Sequence, residues 1–416
     1  MNKTYCGACH GERGCPECEK AAKSAVYTSL AEFLLPAGAG CDGLFLVADL
    51  GTTTLAFVCE DENETVSYGT ENPQRSIAAD VIGRVDAAMR GKREQLQTMI
   101  REALAKGFLF VLETLFEQRK KKIEELESEK VRIAIAGNTV MQHLLMGHPV
   151  DGLARAPFTP YTTEKCEVTF ASLFSECSVY AAFPDRIKSA TVTVFPCFSA
   201  FVGGDVTAGA YALFPEALRE RGTGFQQTQS ALLMDLGTNG ELLLWNGEGL
   251  FGTAAAMGSA FEGGRFAYAS ELFRLVARAI RQGALDETGL LCEPYFTEGF
   301  EGVLQEDIRE FQLAKGALRA GMELLCEKTG TALSGISRIY IAGGIGRFCD
   351  AEDLFQTGLL PEDFCGKVSF VGNSCMGGLL RYIRDGEPEL WTEGEFLNLA
   401  EQPEFEALYY RYMNFV

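Results

Sequence analysis

The chain has 416 residues and a formal net charge of −20, with 47% hydrophobic and 23% charged residues. That length suits about two to three domains with ample core, the acidity disfavours nucleic acid or an anionic membrane as a partner, and no apolar run approaches the roughly 18 residues of a transmembrane helix. Fourteen cysteines without an export signal argue for a reducing cytoplasm rather than a disulfide framework.

The N-terminal segment, residues 1–43, gathers Cys6, Cys9, Cys15 and Cys18 in a Gly-rich run with spacing C-x2-C-x5-C-x2-C. Paired C-x2-C knuckles suit tetrahedral Zn²⁺. Thiolates around a loop equally suit an iron–sulfur cluster. Cys9, Cys15 and Cys18 resemble the cluster loop of adrenodoxin-like [2Fe-2S] ferredoxins, with Cys6 or Cys41 open as fourth ligand. The other nine cysteines read as small buried hydrophobes.

After a linker over residues 21–43 comes Leu46-Val47-Ala48-Asp49-Leu50-Gly51-Thr52-Thr53-Thr54-Leu55-Ala56-Phe57. An apolar strand, an acid, a Gly-bounded hydroxyl turn and a second apolar strand predict a β-hairpin. Its glycine lets backbone N–H groups approach an anion. Its acid suits hydrated Mg²⁺, which keeps several waters and takes few carboxylates. Asn72-Pro73 marks a turn. From Asp80 to about Glu127, apolar residues at three- and four-residue steps predict a helix, ending in a solvated charged stretch over residues 119–130.

Residues 131–137 predict a buried strand that stops at Gly-Asn-Thr, with Asn138 placed to cap a short helix and N–H groups turned toward a ligand. His143 and His148 read as packing or loop residues. Beyond a strand over 192–196, the small-residue run of 200–211 predicts a helix packed closely on a neighbour. Asp205, near its start, is either an acid favoured by the helix dipole or a carboxylate that orients a water; the residues leave both readings open.

A second hairpin over 232–245 repeats the plan, with Asp235, Gly237, Thr238, Asn239 and Gly240 around its tip. Repetition on this scale signals a duplicated architecture. Two such hairpins would make a two-sided clamp for a metal-bound polyphosphate. The small-residue run of 252–264, which ends in Glu262 and two glycines, suits a loop that a ligand approaches closely. Helices are predicted over 268–283 and 305–329. The strand at 339–342 breaks into Gly343-Gly344-Ile345-Gly346, against which a nucleoside could lie. Another small-residue helix follows residue 372, and the acidic, aromatic tail 386–416 carries no functional pattern.

These pieces resemble the actin, sugar-kinase and heat-shock-chaperone (ASKHA) ATPase superfamily. Asp49–Thr54 and Asp235–Glu241 match its phosphate loops, Gly203–Ala210 and Gly372–Leu380 its connecting helices, and Ala342–Gly346 its adenosine loop. Within it, the ordered motifs D-L-G-T-T-T, N-P-Q, D-V-I-G-R, G-N-T-V-M-Q-H-L-L-M-G, A-P-F-T-P, F-V-G-G-D, D-L-G-T-N-G-E, A-F-E-G-G, Q-E-D-I-R-E-F-Q-L-A-K-G-A, I-A-G-G-I-G and G-L-L-P, across residues 44–382, resemble the reductive activators of corrinoid proteins.

The resemblance implies an α/β, two-lobed actin-like ATPase with duplicated ribonuclease H-like lobes and a short Cys-rich N-terminal segment. Its divisions would be 1–43, 44–230, 231–385 and a tail, 386–416. It implies ATP and Mg²⁺ as cofactors and a corrinoid protein or methyltransferase as partner, whose Co(II) corrinoid is returned to Co(I) through an N-terminal [2Fe-2S] domain. A homodimer is compatible with it. Asp49 and Asp235 would hold Mg²⁺ through water. Gly51, Thr52, Thr53, Thr54, Gly237, Thr238, Asn239 and Gly240 would cradle phosphates, and Asp205 would orient the attacking water. Glu262, Gly343, Gly344 and Gly346 would line the nucleotide site. The chain departs from the family pattern twice. Only the thiol loop stands where the ferredoxin domain is expected, and a short helix between Gly264 and Gly289 replaces a longer Gly-Cys-Gly-Ser-Gly-like segment. Two other readings are a small-molecule kinase with Asp205 as base, and a nucleotide-responsive metal-binding scaffold without turnover.

An anaerobic visible spectrum with metal analysis separates the readings of the thiol loop. Absorption that dithionite bleaches, with iron and sulfide present, identifies a cluster; a colourless zinc protein places the redox step elsewhere.

Overall fold

The computed structural model describes residues 3–5, 43–120, 123, 126, 130–218, 229–237, 239–258, 261, 266, 269–343, 349–390 and 394–415. Cys6, Cys9, Cys15, Cys18, Cys41, Thr238, Glu262, Gly344 and Gly346 lie outside the described residues. The strands are β1 (Lys3–Tyr5), β2 (Leu44–Leu50), β3 (Thr54–Glu60), β4 (Thr65–Glu71), β5 (Val131–Gly137), β6 (Cys166–Thr169), β7 (Thr191–Val194), β8 (Ala231–Leu236), β9 (Asn239–Trp245), β10 (Leu250–Ala256), β11 (Arg338–Ala342), β12 (Val368–Gly372) and β13 (Glu395–Phe396). The main helices are α1 (Val81–Ala87), α2 (Arg93–Gln118), α3 (Thr139–Met146), α4 (Gly204–Leu213), α5 (Ala269–Arg281), α6 (Gln305–Lys328), α7 (Ser374–Arg384) and α8 (Phe405–Met413). Among the described residues, no helix is long and apolar enough to cross a membrane.

The chain forms two compact units: Met1–Arg221 with Asn373–Thr392, and Gly222–Gly372 with Glu393–Val416. In the first, the sheet order is β1-β4-β3-β2-β5-β7-β6. The apolar run of β2 is buried because the strand is central, antiparallel to β3 and parallel to β5. Side chains alternate across a strand. Leu44, Leu46, Ala48 and Leu50 therefore join one core with Ile100, Leu104, Phe108 and Leu112 of α2, while Asp49 lies on the other face, toward α7.

The second sheet runs β12-β11-β8-β9-β10-β13. The order β10-β9-β8-β11-β12 matches β4-β3-β2-β5-β7 strand for strand, with the hairpin first, then two parallel strands. The two D-L-G-T hairpins thus occupy equivalent places in a duplicated fold. Both acids sit at the carboxyl ends of their strands, where open α/β sheets bind ligands.

Four local expectations change. The helix predicted from Asp80 is broken, because Arg90 and Gly91 leave helical geometry and Gly91 takes φ +91°. A left-handed residue of this kind is invisible to periodicity. Arg119 is not a solvated charge: it pairs with the buried Asp61 carboxylate. The helix predicted from residue 200 starts at Gly204. Of the scattered cysteines, Cys59, Cys197, Cys326 and Cys375 are buried, but Cys365 is exposed.

The tail is structural. β13 extends β10, and Phe415 inserts into the second core, stacking on Phe311 with ring centroids 6.0 Å apart. Lys315 of α6 donates to the carbonyls of Thr357 and Asn414 at 3.1 and 2.6 Å, and its ammonium lies 4.2 Å from the Phe415 ring centroid.

The predicted close-packed helix, α4, finds its neighbour in α7. A Cβ at Gly378 would overlap the Ala208 carbonyl oxygen. Gly378→Ala should therefore cost about 2–3 kcal/mol, whereas Gly91→Ala, strained only by its φ, should cost about 1 kcal/mol. Urea denaturation of the two variants checks the difference.

Candidate functional site

In the first unit, the loop between β2 and β3 is held from behind. The Asn72 side chain donates to the Gly51 carbonyl at 2.9 Å, the Arg84 guanidinium to the Thr52 carbonyl at 2.6 Å, and the Asn72 backbone N–H to the Thr53 carbonyl at 2.9 Å. In a planar trans peptide the N–H points opposite the C=O. Pulling the Gly51 and Thr52 carbonyls back therefore turns the N–H groups of Thr52 and Thr53 outward, the arrangement that receives an anion. Gly51 is required sterically, since a Cβ would overlap the Thr54 carbonyl oxygen.

Asn138 caps α3 as expected: its Oδ1 accepts from the Met141 N–H at 3.0 Å, and its Nδ2 donates to Thr52 Oγ1 at 2.8 Å. The cap fixes the amide orientation, so the Thr52 oxygen accepts and its hydroxyl proton is left to donate to a ligand. His143 is a packing residue, with Nδ1 2.7 Å from the Thr139 carbonyl, and His148 stacks on Tyr161.

Asp205 lies in the first turn of α4, where its Oδ1 accepts from the Val206 N–H at 2.9 Å. Gly203 precedes it, and a Cβ there would stand 2.7 Å from the Gly137 carbonyl oxygen and 2.8 Å from Asp205 Oδ1. Thr52, Asn138, Gly203 and Asp205 are thus gathered at the carboxyl edge of β2, β5 and β7.

Asp49 completes this edge. Its Oδ2 accepts from the Asn373 side chain at 2.7 Å, and Asn373 Oδ1 in turn caps α7 by accepting from the Met376 N–H at 2.9 Å. Burial pushes the Asp49 carboxyl up to about 6, against the opposing pull of hydrogen bonds from Asn373 and Cys375. The neighbouring Ser374 hydroxyl is buried with no hydrogen-bond partner among the described residues.

In the second unit, Asp235 ends β8 beside Ala342 of β11 and opposite Glu241 of β9. Gly343 has φ +88°, its Cβ position overlaps the Leu236 carbonyl oxygen, and that position lies 3.2 Å from Asp235 Oδ1. Only glycine fits there. Gly237 differs: among the described residues, nothing lies within 4 Å of a Cβ built on it. Gly240 is a packing residue in β9, with Leu318 Cδ1 and Met257 Sδ both 2.7 Å from its Cβ position.

These residues fit a phosphate-bearing ligand with a hydrated cation. In the first unit, outward N–H groups, a hydroxyl left to donate and an orphaned serine hydroxyl all suit phosphate oxygens. Within each unit, a single carboxylate at the hairpin suits a cation held mostly through water. Among the described residues, no three His, Cys, Asp or Glu side chains are grouped to hold a metal directly.

Asn72, Arg84, Asn373 and Cys375 were missed as site residues by sequence reasoning. Arg84 carried a signal, being a charged residue inside the apolar stripe of Val81 and Val85. Asn373 carried none, since its role depends on a contact 324 residues away in sequence.

Duplicated sheets with an acid hairpin opening each one define an ASKHA-type α/β protein. The RACo middle region matches residues 44–214, and the C-terminal domain of RACo, the ASKHA domain, matches residues 229–290 and 301–416. The chain belongs to the RACo family. It is similar to the corrinoid activation enzyme RamQ of Eubacterium limosum, at 26% identity over 437 residues, covering 87% of this chain and 68% of that protein. Its fold matches a solved reductive activator for corrinoid, iron-sulfur protein with a TM-score of 0.70 and 22% identity, covering 90% of this chain. The chain spans 66% of that structure's length.

The raised Asp49 value makes a stability prediction. A folded-state value near 6, above the ordinary 3.8, leaves the folded protein unpenalised at low pH and destabilises it as pH rises through 6. Asp49→Asn should therefore stabilise the ligand-free protein by on the order of 2 kcal/mol at pH 8, a gain that vanishes near pH 4. Thermal melting across that range checks it.

Proposed function

We propose that this protein is an ATP-hydrolysing activator that restores the Co(I) state of a corrinoid in a partner protein. The carrying observation is the pair of equivalent acid hairpins on a duplicated sheet, in a chain that matches both the RACo middle region and the RACo C-terminal ASKHA domain. The names of its relatives, a corrinoid activation enzyme and a reductive activator, support the partner class.

In this reading Asp49 and Asp235 orient waters of a bound Mg²⁺. The N–H groups of Thr52 and Thr53 and the Thr52 hydroxyl bind phosphate oxygens, and the backbone at Gly237 does the same in the second unit. Gly343, Gly344 and Gly346 would receive the adenosine, Glu262 would contribute to the nucleotide site, and Thr238 would join the phosphate contacts. Asp205, held at the start of α4, accepts a hydrogen bond from the attacking water. Phosphoryl transfer to water needs positioning and charge stabilisation more than covalent chemistry, and these residues supply both. Mg²⁺–ATP, when bound, supplies the free energy of forming ADP and phosphate. One electron from an external low-potential donor then reduces Co(II) to Co(I). Cys6, Cys9, Cys15 and Cys18 are proposed as ligands of a metal centre, an iron–sulfur cluster or Zn²⁺.

Asp235→Ala and Asp49→Ala should each lower ATP hydrolysis by about 100-fold or more, read as phosphate release under anaerobic conditions. They should also abolish Co(I) formation, followed by visible absorption with a Co(II) corrinoid protein and a chemical reductant. Hydrolysis near the wild-type rate in Asp235→Ala would overturn the assignment.

A further inference from the structure

Arg84 is fully buried, yet its contacts are with neutral atoms. Nε donates to the Ala78 carbonyl at 3.2 Å, Nη2 to the Thr52 carbonyl at 2.6 Å, and Nη1 approaches Met141 Sδ at 2.9 Å. Among the described residues it makes no ion pair. Asp80, the acid whose field it feels, spends its own Oδ1 on the Gly83 N–H at 2.7 Å. Burial lowers the guanidinium only to about 10, so it stays charged at neutral pH.

A buried charge without a paired counter-charge is costly. It is retained where something else supplies the opposite charge. The guanidinium grips the back of the peptide whose front N–H, on Thr53, faces the ligand side of the loop. We infer that Arg84 is a positioning residue for the phosphate loop and that the counter-charge it lacks is the phosphate of the bound nucleotide. The inference rests on the reading of residues 51–54 as a phosphate loop.

Two effects follow from one side chain. The hydrogen bond to the Thr52 carbonyl holds the Thr52–Thr53 peptide in its anion-receiving orientation. The uncompensated positive charge behind that peptide adds to the field of its N–H in a low-dielectric setting, where it is little screened. Both favour phosphate, and neither acts on a nucleoside. A residue that merely stapled α1 to the loop would not distinguish the two ligands.

The test is calorimetric binding of Mg²⁺–ATP, Mg²⁺–tripolyphosphate and adenosine to the full chain and to Arg84→Met and Arg84→Lys. Losing a charge-assisted hydrogen bond should weaken ATP and tripolyphosphate by about 10- to 100-fold in Arg84→Met, with adenosine unchanged. Arg84→Lys, which keeps the charge, should recover part of the loss. Equal weakening of ATP and adenosine, or no weakening in a folded variant, overturns the inference. Should Arg84→Met not fold, Arg84→Lys decides: a weaker phosphate affinity with unchanged adenosine supports the inference, and no such split overturns it. Wild-type protein that binds adenosine but neither ATP nor tripolyphosphate overturns the phosphate-loop reading as well. Tight wild-type ATP binding that Arg84→Met leaves unaltered overturns only this inference.

Discussion

The close approach of α4 and α7 is the constraint on which the first unit depends. Gly378 brings the α7 backbone against the Ala208 carbonyl, a distance open only to a residue without a side chain. That contact draws the chain back, after five of the six strands of the second sheet, to finish a unit begun more than 300 residues earlier. It also sets the N-terminus of α7 over β2, so that Asn373 meets Asp49. The packing glycine and the candidate catalytic edge are therefore one design: a bulkier residue at 378 would shift the cap that orients the acid.

Much of this was legible in sequence. The strand–acid–glycine–hydroxyl pattern fixed both hairpins, because a central strand must be apolar on both faces and its polar tip must lie outside the core. Asn138 was readable as a cap because capping follows from local spacing. The small-residue run of α4 announced a close neighbour without naming it. What stayed hidden was what depends on distant contacts or on one dihedral angle. Periodicity cannot see that Gly91 turns left-handed, and a charged stretch does not reveal that Arg119 folds back on Asp61. The tail read as featureless because its aromatic residues have no period that exposes their partners, Phe311 and Lys315.

Asp49 shows how site and stability oppose one another. A carboxylate at the end of a buried strand is desolvated, and among the described residues its hydrogen bonds come from one amide and one thiol rather than a cation. A cation from the protein in that place would stabilise the folded chain and, under the proposed function, would stand where Mg²⁺ is needed. Under the proposed function, an under-compensated acid would keep its affinity for an incoming cation, as expected of strain at functional sites. The orphaned Ser374 hydroxyl beside it fits the same account.

The two hairpins share a sequence motif and a place in the sheet but not a supporting shell. In the first, three successive carbonyls are taken up from behind, one by a buried cation, so the loop is braced with a positive charge at its back. In the second, among the described residues, nothing lies over Gly237, Gly240 is absorbed into the core, and Gly343 presses against the strand end. Duplication thus supplied two equivalent strand ends, and the residues behind them diverged. A braced, positively backed loop suits the fixing of phosphate charge. A left-handed glycine at the end of β11 suits, under the proposed function, close passage of a nucleotide along backbone. Among the described residues, the braces of the first loop are Asn72 and Arg84, which belong to neither D-L-G-T motif.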